Sequence, residues 1–391
     1  MNISNTPSER IKALAEGQRA FFATGYTREI SFRKQQLKAL RSALQKWEKP
    51  LCDALWTDLH KSYEEAFMTE IGLVFGEISD ALKHVGKWAR RRKCPTPITG
   101  IPSRSYIIRE PLGCALIVSP WNYPVQLLLS PLVGAIAAGC TAILKPSPYV
   151  PNVSAALQQM IEETFEPGYI AIVQGNREVN TALFGTRFDL VFFTGSPALG
   201  KVVMEAQSKY LTPLVLELGG KSPCIVDKDA DIELAARRIV WGKCLNSGQT
   251  CIAPDYLFLH EDIKEAFVEA FKKGVATVGQ TYLMQQRRLH FRLILTLHDN
   301  SRQLLMVANH HKTVDGGRSE DAQDLRFQNL RSLIKNGDME VLESEKRSMA
   351  VHRGNCADED GSVLYLLHDL LTIGQVGYDI GKQVFPIGRC A

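Results

Sequence analysis

From Cys114 onward, short uninterrupted apolar runs alternate with stretches of helical spacing. CALIVSP is followed by a helical pattern over 127–139, TAILKPS by one over 151–165, and GYIAIVQG by one over 176–185; LVFFTGS and LVLELGG close the series. Apolar strands that lack in–out alternation are buried on both faces. Strands that alternate with helices pair in parallel, because each helical crossover returns the chain to the same end of the sheet. The pattern predicts an α/β fold with a doubly wound parallel sheet of the nucleotide-binding type, in which ligands bind at the carboxyl ends of the strands. SPCIVDK, a helix through 230–243 and a second αβ unit from 256 extend it.

Around this segment the sequence changes character. Residues 8–93 read as helices. Leu37, Leu40, Leu44 and Trp47 share one face, and Pro50 is expected to end that helix. The stretch 94–113 is rich in Pro, Ser and Thr, carries a short β-like run at Tyr106–Ile108, and reads as an extended arm. The longest apolar run, 127–144, is interrupted by Ser130, Pro131 and Gly139. It reads as a buried helix, started by Pro131 and ended by Gly139, followed by a buried strand, and not as a membrane span. After Gly279 the pattern weakens. Of 18 prolines only Pro386 lies beyond it, all five Trp precede it, and six of nine His follow it. TYLMQQRRLHFRLILTL fits a helix or a strand, residues 310–362 are mostly polar and charged, and SVLYLLHDLLTIG at 362–374 is apolar but short.

Composition narrows the function classes. A chain of 391 residues suggests two or three domains. Its 45% hydrophobic and 23% charged residues allow a large core and exclude a disordered or low-complexity chain. A net charge of +4 gives no reason to expect a nucleic-acid partner. The nine cysteines are odd in number and irregular in spacing, which reads as reduced thiols in a cytoplasmic protein. No CxxC pair is present, so no metal is expected. The first residues, MNISNTPSERIKAL, lack the layout of a signal peptide, and no transmembrane segment is expected.

Three residues carry candidate chemistry. Cys251, in NSGQTCIAP, is a nucleophile if its setting favours the thiolate, with Gly248 allowing close backbone approach; otherwise it is one more buried small hydrophobe. Glu217 ends the apolar run LVLELGG. A carboxylate there is either paired, for instance with Lys221, or a general base with a raised pKa. Asn122, in SPWNYP, has an amide that can donate to a developing oxyanion, or it is a turn residue between two prolines. A further stretch, Gly195 to Val202, nearly matches a phosphate-binding loop. However, Val202 replaces the magnesium-binding hydroxyl and Pro197 removes a cradling N–H. What remains is a Gly-rich strand-to-helix turn suited to a dinucleotide phosphate. Lys145, in LKPSP, ends another strand, where it reaches a ribose or phosphate or is simply solvated.

Taken in order, SPWNYP (119–124), LKPSP (144–148), FFTGSPALG (192–200), LELGGKSP (216–223) and NSGQTCIAPDY (246–256) resemble the aldehyde dehydrogenase superfamily, most closely its class 3 branch. The resemblance covers about residues 8–279. It implies Cys251 as nucleophile, Glu217 as general base and Asn122 as oxyanion donor. It also implies Lys145, Gly195, Ser196, Gly200 and Trp121 around the dinucleotide, with NAD or NADP as cofactor and a small-molecule aldehyde, medium-chain or aromatic, as substrate. Pro148 stands where the family usually has a Glu that disfavours a 2′-phosphate, which leaves both cofactors open. The domains it implies are N-terminal helices of the cofactor domain (1–93), an oligomerisation arm (94–113), a dinucleotide-binding domain (114–215), the first half of an aldehyde dehydrogenase-like α/β catalytic domain (216–279), and an unassigned tail (280–391). A homodimer is expected where the tail permits it. The family's later Glu-Glu-Ile-Phe-Gly-Pro, Pro-Phe-Gly-Gly and Asn-Ser-Gly segments have no counterpart here. Three other readings follow. One is a non-catalytic remnant that binds dinucleotide or a partner. Another is a CoA-acylating enzyme, although those lack a water-activating Glu such as Glu217. The last is a frame change near codon 279.

Overall fold

The computed structural model describes residues 3–285 and three further short strands, at 293–297, 304–308 and 363–366. The expectations for 310–362 and for most of 362–374 lie outside the described residues. The chain divides into two compact units. Of the described residues, the first holds those up to Gly220 together with Thr250–Ile252, and the second holds Lys221–Gln249 and those from Ala253.

The first unit opens with helices α1 (Ser8–Ala23), α2 (Ile30–Leu59), α3 (Tyr63–Ala66) and α4 (Gly72–Trp88), with a π-helical turn at Phe67–Ile71 between the last two. Strands β1 (Arg92–Cys94) and β2 (Ser105–Ile107) pair as an antiparallel hairpin. The alternating segment follows as β3 (Cys114–Val118), α5 (Gln126–Ala138), β4 (Thr141–Lys145), α6 (Pro151–Thr164), β5 (Ile170–Ile172), α7 (Arg177–Phe184), β6 (Leu190–Gly195), α8 (Pro197–Ser208) and β7 (Leu214–Leu218). Its five strands form one parallel sheet in the order β5-β4-β3-β6-β7. Counted from β3, this is the 3-2-1-4-5 order of dinucleotide-binding folds, with its switch point between β3 and β6.

Side-chain alternation explains the two-sided burial. Ala115 and Ile117 face a core built with α2, α4, α5 and α6. Cys114, Leu116 and Val118 face the opposite core, built with α1, α7 and α8. The central strands β3 and β4 are buried throughout. The edge strand β7 is not: Val215 and Glu217 face solvent, so its apolar run is covered on one side only.

Three boundaries differ from expectation. Pro50 does not end its helix, because α2 continues to Leu59 with Pro50 inside. The lost i−4 hydrogen bond is outweighed by packing, since Leu37, Leu40 and Leu44 before the proline and Leu51 and Leu55 after it enter one core. The helix stops instead at His60, which adopts the left-handed conformation (φ 56°). Pro131 lies inside α5, not at its start, while Gly139 does end it, with φ 89°. The β-like run in the arm sits one residue earlier, at Ser105–Ile107.

The second unit contains β8 (Ser222–Val226), α9 (Ile232–Cys244), β9 (Pro254–Leu259) and α10 (Lys264–Gln285). Strands β10 (Leu293–Leu297) and β11 (Leu304–Ala308) pair with each other, and β12 (Val363–Leu366) runs antiparallel to β9, which is parallel to β8 on its other side. The ambiguous stretch from Thr281 thus contributes to both a helix and a strand. Val226, Val240, Leu257, Phe267 and Phe271 form this unit's core.

Candidate active site

Sheet register brings the candidate residues to one end of the first unit. Val118 and Lys145 end β3 and β4 at the same level, opposite Phe193 of β6, and Ser119 N–H donates to the Lys145 carbonyl at 3.1 Å. On the next strand pair Thr194 lies opposite Glu217, and Gly195 opposite Leu218. The SPWNYP loop, Lys145, the Gly195–Ser196 turn and Glu217 therefore share the carboxyl edge of the sheet, where doubly wound folds bind their ligands.

The loop that carries Asn122 is held from below. The ammonium of Lys61 donates to the Asn122 carbonyl at 2.9 Å and lies 4.1 Å from the centre of the Tyr123 ring. It is paired with Glu70, and both side chains are shut off from solvent. The second carboxylate oxygen of Glu70 accepts the Val125 and Gln126 N–H groups at 2.8 and 3.3 Å, which satisfies the first turn of α5. The Tyr123 hydroxyl accepts from Thr250 Oγ1 at 2.6 Å. The neighbour of Asn122 thus touches the neighbour of Cys251.

Before Cys251, Asn246, Ser247 and Gly248 all have positive φ (50°, 51° and 94°). Three consecutive left-handed residues, two of them not glycine, are costly and are found where a site requires the backbone there. Cys251 itself is half-buried. Burial pushes its thiol up, the backbone N–H groups of Cys251 and Ile252 pull it down, and the Glu217 carboxylate adds to the upward shift. Glu217 is not paired with Lys221, which meets Asp255 at 3.3 Å.

The strand ends also fit a dinucleotide. Ser119 Oγ and Thr194 Oγ1 are buried with no hydrogen-bond partner among the described residues, so a polar ligand there would satisfy them. Ser196 caps α8, accepting from Leu199 N–H at 3.2 Å, and Pro197 occupies the first helical position. A bare Gly195 leads into that positive helix end. Lys145 is not a solvated surface lysine: it is 1% exposed, its ammonium donates to the Pro146 carbonyl at 2.7 Å, and burial pushes it down to about 8. Gly200 has a packing role, since a Cβ there would meet Leu218 Cδ2 at 3.0 Å. Trp121 packs partly buried against the first core.

Reasoning from sequence did not find Lys61, Glu70, Ser119 or Thr194. For Glu70 a signal existed: a single acid inside the apolar stretch AFMTEIGLVF. Among the described residues no group of His, Cys, Asp or Glu is placed to hold a metal.

The strand order, with its switch point between β3 and β6, defines a dinucleotide-binding type of fold. Comparison with known proteins gives the family. A sequence model of the aldehyde dehydrogenase family matches residues 2–286. The chain is 43% identical over 304 residues to 4,4'-diaponeurosporen-aldehyde dehydrogenase of Staphylococcus aureus, covering 78% of this chain and 66% of that one. It is 42% identical over 266 residues to the dimeric NADP-preferring aldehyde dehydrogenase of Canis lupus familiaris, covering 68% and 59%. A solved substrate-bound state of Staphylococcus aureus AldH superposes with a TM-score of 0.67 at 45% identity, covering 70% of this chain and 59% of that one. The chain belongs to the aldehyde dehydrogenase family, and it spans no more than about two thirds of the length of these relatives.

Proposed function

We propose that the protein oxidises an aldehyde to its carboxylic acid with NAD or NADP, through a covalent intermediate on Cys251. The observation that carries this reading is at the sheet edge: Tyr123, next to Asn122, is hydrogen-bonded to Thr250, next to Cys251, and Glu217 lies opposite Thr194 at the same edge. The raised thiol fits a base-assisted nucleophile. Glu217 accepts the Cys251 proton as sulfur bonds to the aldehyde carbon. The Asn122 amide and the Cys251 N–H hold the resulting oxyanion. Lys145, Ser119, Thr194, Gly195 and Ser196 are the residues that would hold the dinucleotide, with Trp121 and Gly200 supporting the loop and the helix around it. When bound, NAD or NADP supplies the hydride acceptor. Once Glu217 has passed that proton to solvent, it takes another from the water that attacks the thioester and hands it to the departing Cys251 sulfur, which releases the acid and restores the thiol.

The family resemblance points to medium-chain or aromatic aldehydes, and Pro148 presents no carboxylate to repel a 2′-phosphate. The seven described cysteines are all free thiols, in keeping with a reducing, cytoplasmic compartment. Among the described residues no helix is long and apolar enough to cross a membrane. A homodimer through the arm is the assembly this reading carries.

The test uses the full 391-residue chain. Cys251→Ala is expected to abolish both NAD(P)-dependent oxidation and ester hydrolysis. Glu217→Gln is expected to slow both the acylation burst and the release of the acid. Turnover retained in Cys251→Ala overturns the assignment.

A further inference from the structure

We infer that the buried Lys61–Glu70 pair is a positioning device that sets the oxyanion loop against the nucleophile. The inference rests on the proposed role of Cys251 and Asn122. Lys61 follows the end of α2 and Glu70 sits in the π-helical turn; neither is given a role in the chemical steps. A π turn re-aims the side chains that follow it, and such turns recur at functional sites. Here it carries Glu70 into the core.

The hydrogen-bond accounting of the two groups is specific. An ammonium has three donors, and those of Lys61 meet the Glu70 carboxylate, the Asn122 carbonyl and the face of Tyr123. Glu70 uses its other oxygen for the Val125 and Gln126 N–H groups. Together the pair grips the loop on both sides of Tyr123–Pro124 and leaves the Tyr123 hydroxyl directed to Thr250. A charge pair that only stabilised the core would be replaceable by apolar groups at little cost. This one spends its polar contacts on the backbone of one loop.

The prediction separates positioning from folding. In acylation by p-nitrophenyl acetate, the Cys251 sulfur bonds to the acetyl carbon, the C–O bond to nitrophenolate breaks, and the thiol proton leaves through Glu217. That reaction passes through an oxyanion. Alkylation of Cys251 by iodoacetamide, which expels iodide, does not. Lys61→Met is expected to slow the nitrophenolate burst about ten- to hundredfold, as an ångström-scale misplacement does, with little change in the ester's saturation constant. Cys251 alkylation, followed by peptide mass spectrometry, should stay within about twofold, because it has no oxyanion to stabilise. In an Asn122→Ala background Lys61→Met should add nothing further. Should Lys61→Met fail to fold, Lys61→Met/Glu70→Gln, which leaves no buried charge, is measured in its place and is expected to show the same selective loss. An unchanged burst, a parallel fall in alkylation, or additive losses with Asn122→Ala overturns the positioning role. A wild-type chain with alkylatable Cys251 but no burst overturns the proposed function itself, and the positioning role with it.

Discussion

Lys145 shows how one residue trades stability for binding. An amine pushed from 10.5 to about 8 by burial carries roughly 3 kcal/mol of unfavourable folding free energy at pH 7. The sign follows from which state holds the proton. Below about pH 8 the lysine is charged folded and unfolded, and the cost is complete; it fades as pH rises, and is gone above 10.5, where both states are neutral. A group kept at that cost has a use, and an anionic ligand at the sheet edge is one that its neighbours Ser119 and Thr194 also call for. Lys145→Met is therefore expected to raise Tm by a few degrees at pH 7, with the gain shrinking toward pH 10.5, while weakening NAD(P) binding about tenfold or more. Thermal unfolding with and without NAD(P)⁺, across pH, checks both arms; an unchanged apo Tm would show the burial cost to be absent. The position of Lys145 at a strand end was legible from LKPSP, but its burial was not. Its strand is buried on both faces by helices from distant parts of the chain, which no local pattern encodes.

At the scale of elements, the alternating core of the fold was readable because periodicity is local: every strand and helix from Cys114 to Ser208 lies within a residue or two of its apolar run. What was not readable came from partners distant in sequence. The first turn of α5 is capped by Glu70, some 55 residues earlier, so Pro131 looked like the start. Pro50 looked like a stop because the core that holds both halves of α2 together is invisible in the helix's own sequence. The same contrast holds in the site: Cys251, Glu217 and Asn122 sit in short motifs, whereas Lys61 and Glu70 act through tertiary contacts. The other end of α5 combines both kinds of signal. Gly139 is required locally by its φ of 89°, and tertiary packing requires it again, because a Cβ there would meet the Arg33 guanidinium at 2.7 Å. Arg33 is buried and donates to the Thr27, Arg28 and Ala137 carbonyls at 2.8, 3.2 and 3.1 Å, tying α2 to the negative end of α5. Gly139→Ala is expected to cost about 2–4 kcal/mol in urea unfolding, more than backbone strain alone, because Arg33 must leave those carbonyls. If Gly139→Ala costs only the backbone strain, about 1 kcal/mol, in an Arg33→Met background, the guanidinium is the source of the clash.

For the whole molecule, the arm makes the strongest demand on assembly. Between Ile98 and Leu112 the chain exposes Ile98 (85%), Ile101 (67%), Ile107, Ile108 and Leu112, a run of large apolar side chains on a two-stranded hairpin. A hairpin of this size is marginal alone, and an apolar patch of this kind on a surface marks an interface. At its base Arg28 pairs with Glu110, and Arg91 lies over the Tyr106 ring. A closed two-fold dimer, in which each arm covers the same patch on its partner, removes the apolar surface from water without leaving an open edge for further growth. Burying two such isoleucines fully contributes about 3–6 kcal/mol per arm, before the entropy of association is met. Ile98→Asp/Ile101→Asp should therefore convert the dimer to a monomer in light scattering. It should also abolish the dependence of Tm on protein concentration that a wild-type dimer shows. Because the arm lies apart from Cys251 and Glu217 in sequence and carries none of their contacts, the p-nitrophenyl acetate burst of that variant is expected to persist. A wild-type chain that runs as a monomer at every concentration would assign the exposed isoleucines to some other partner.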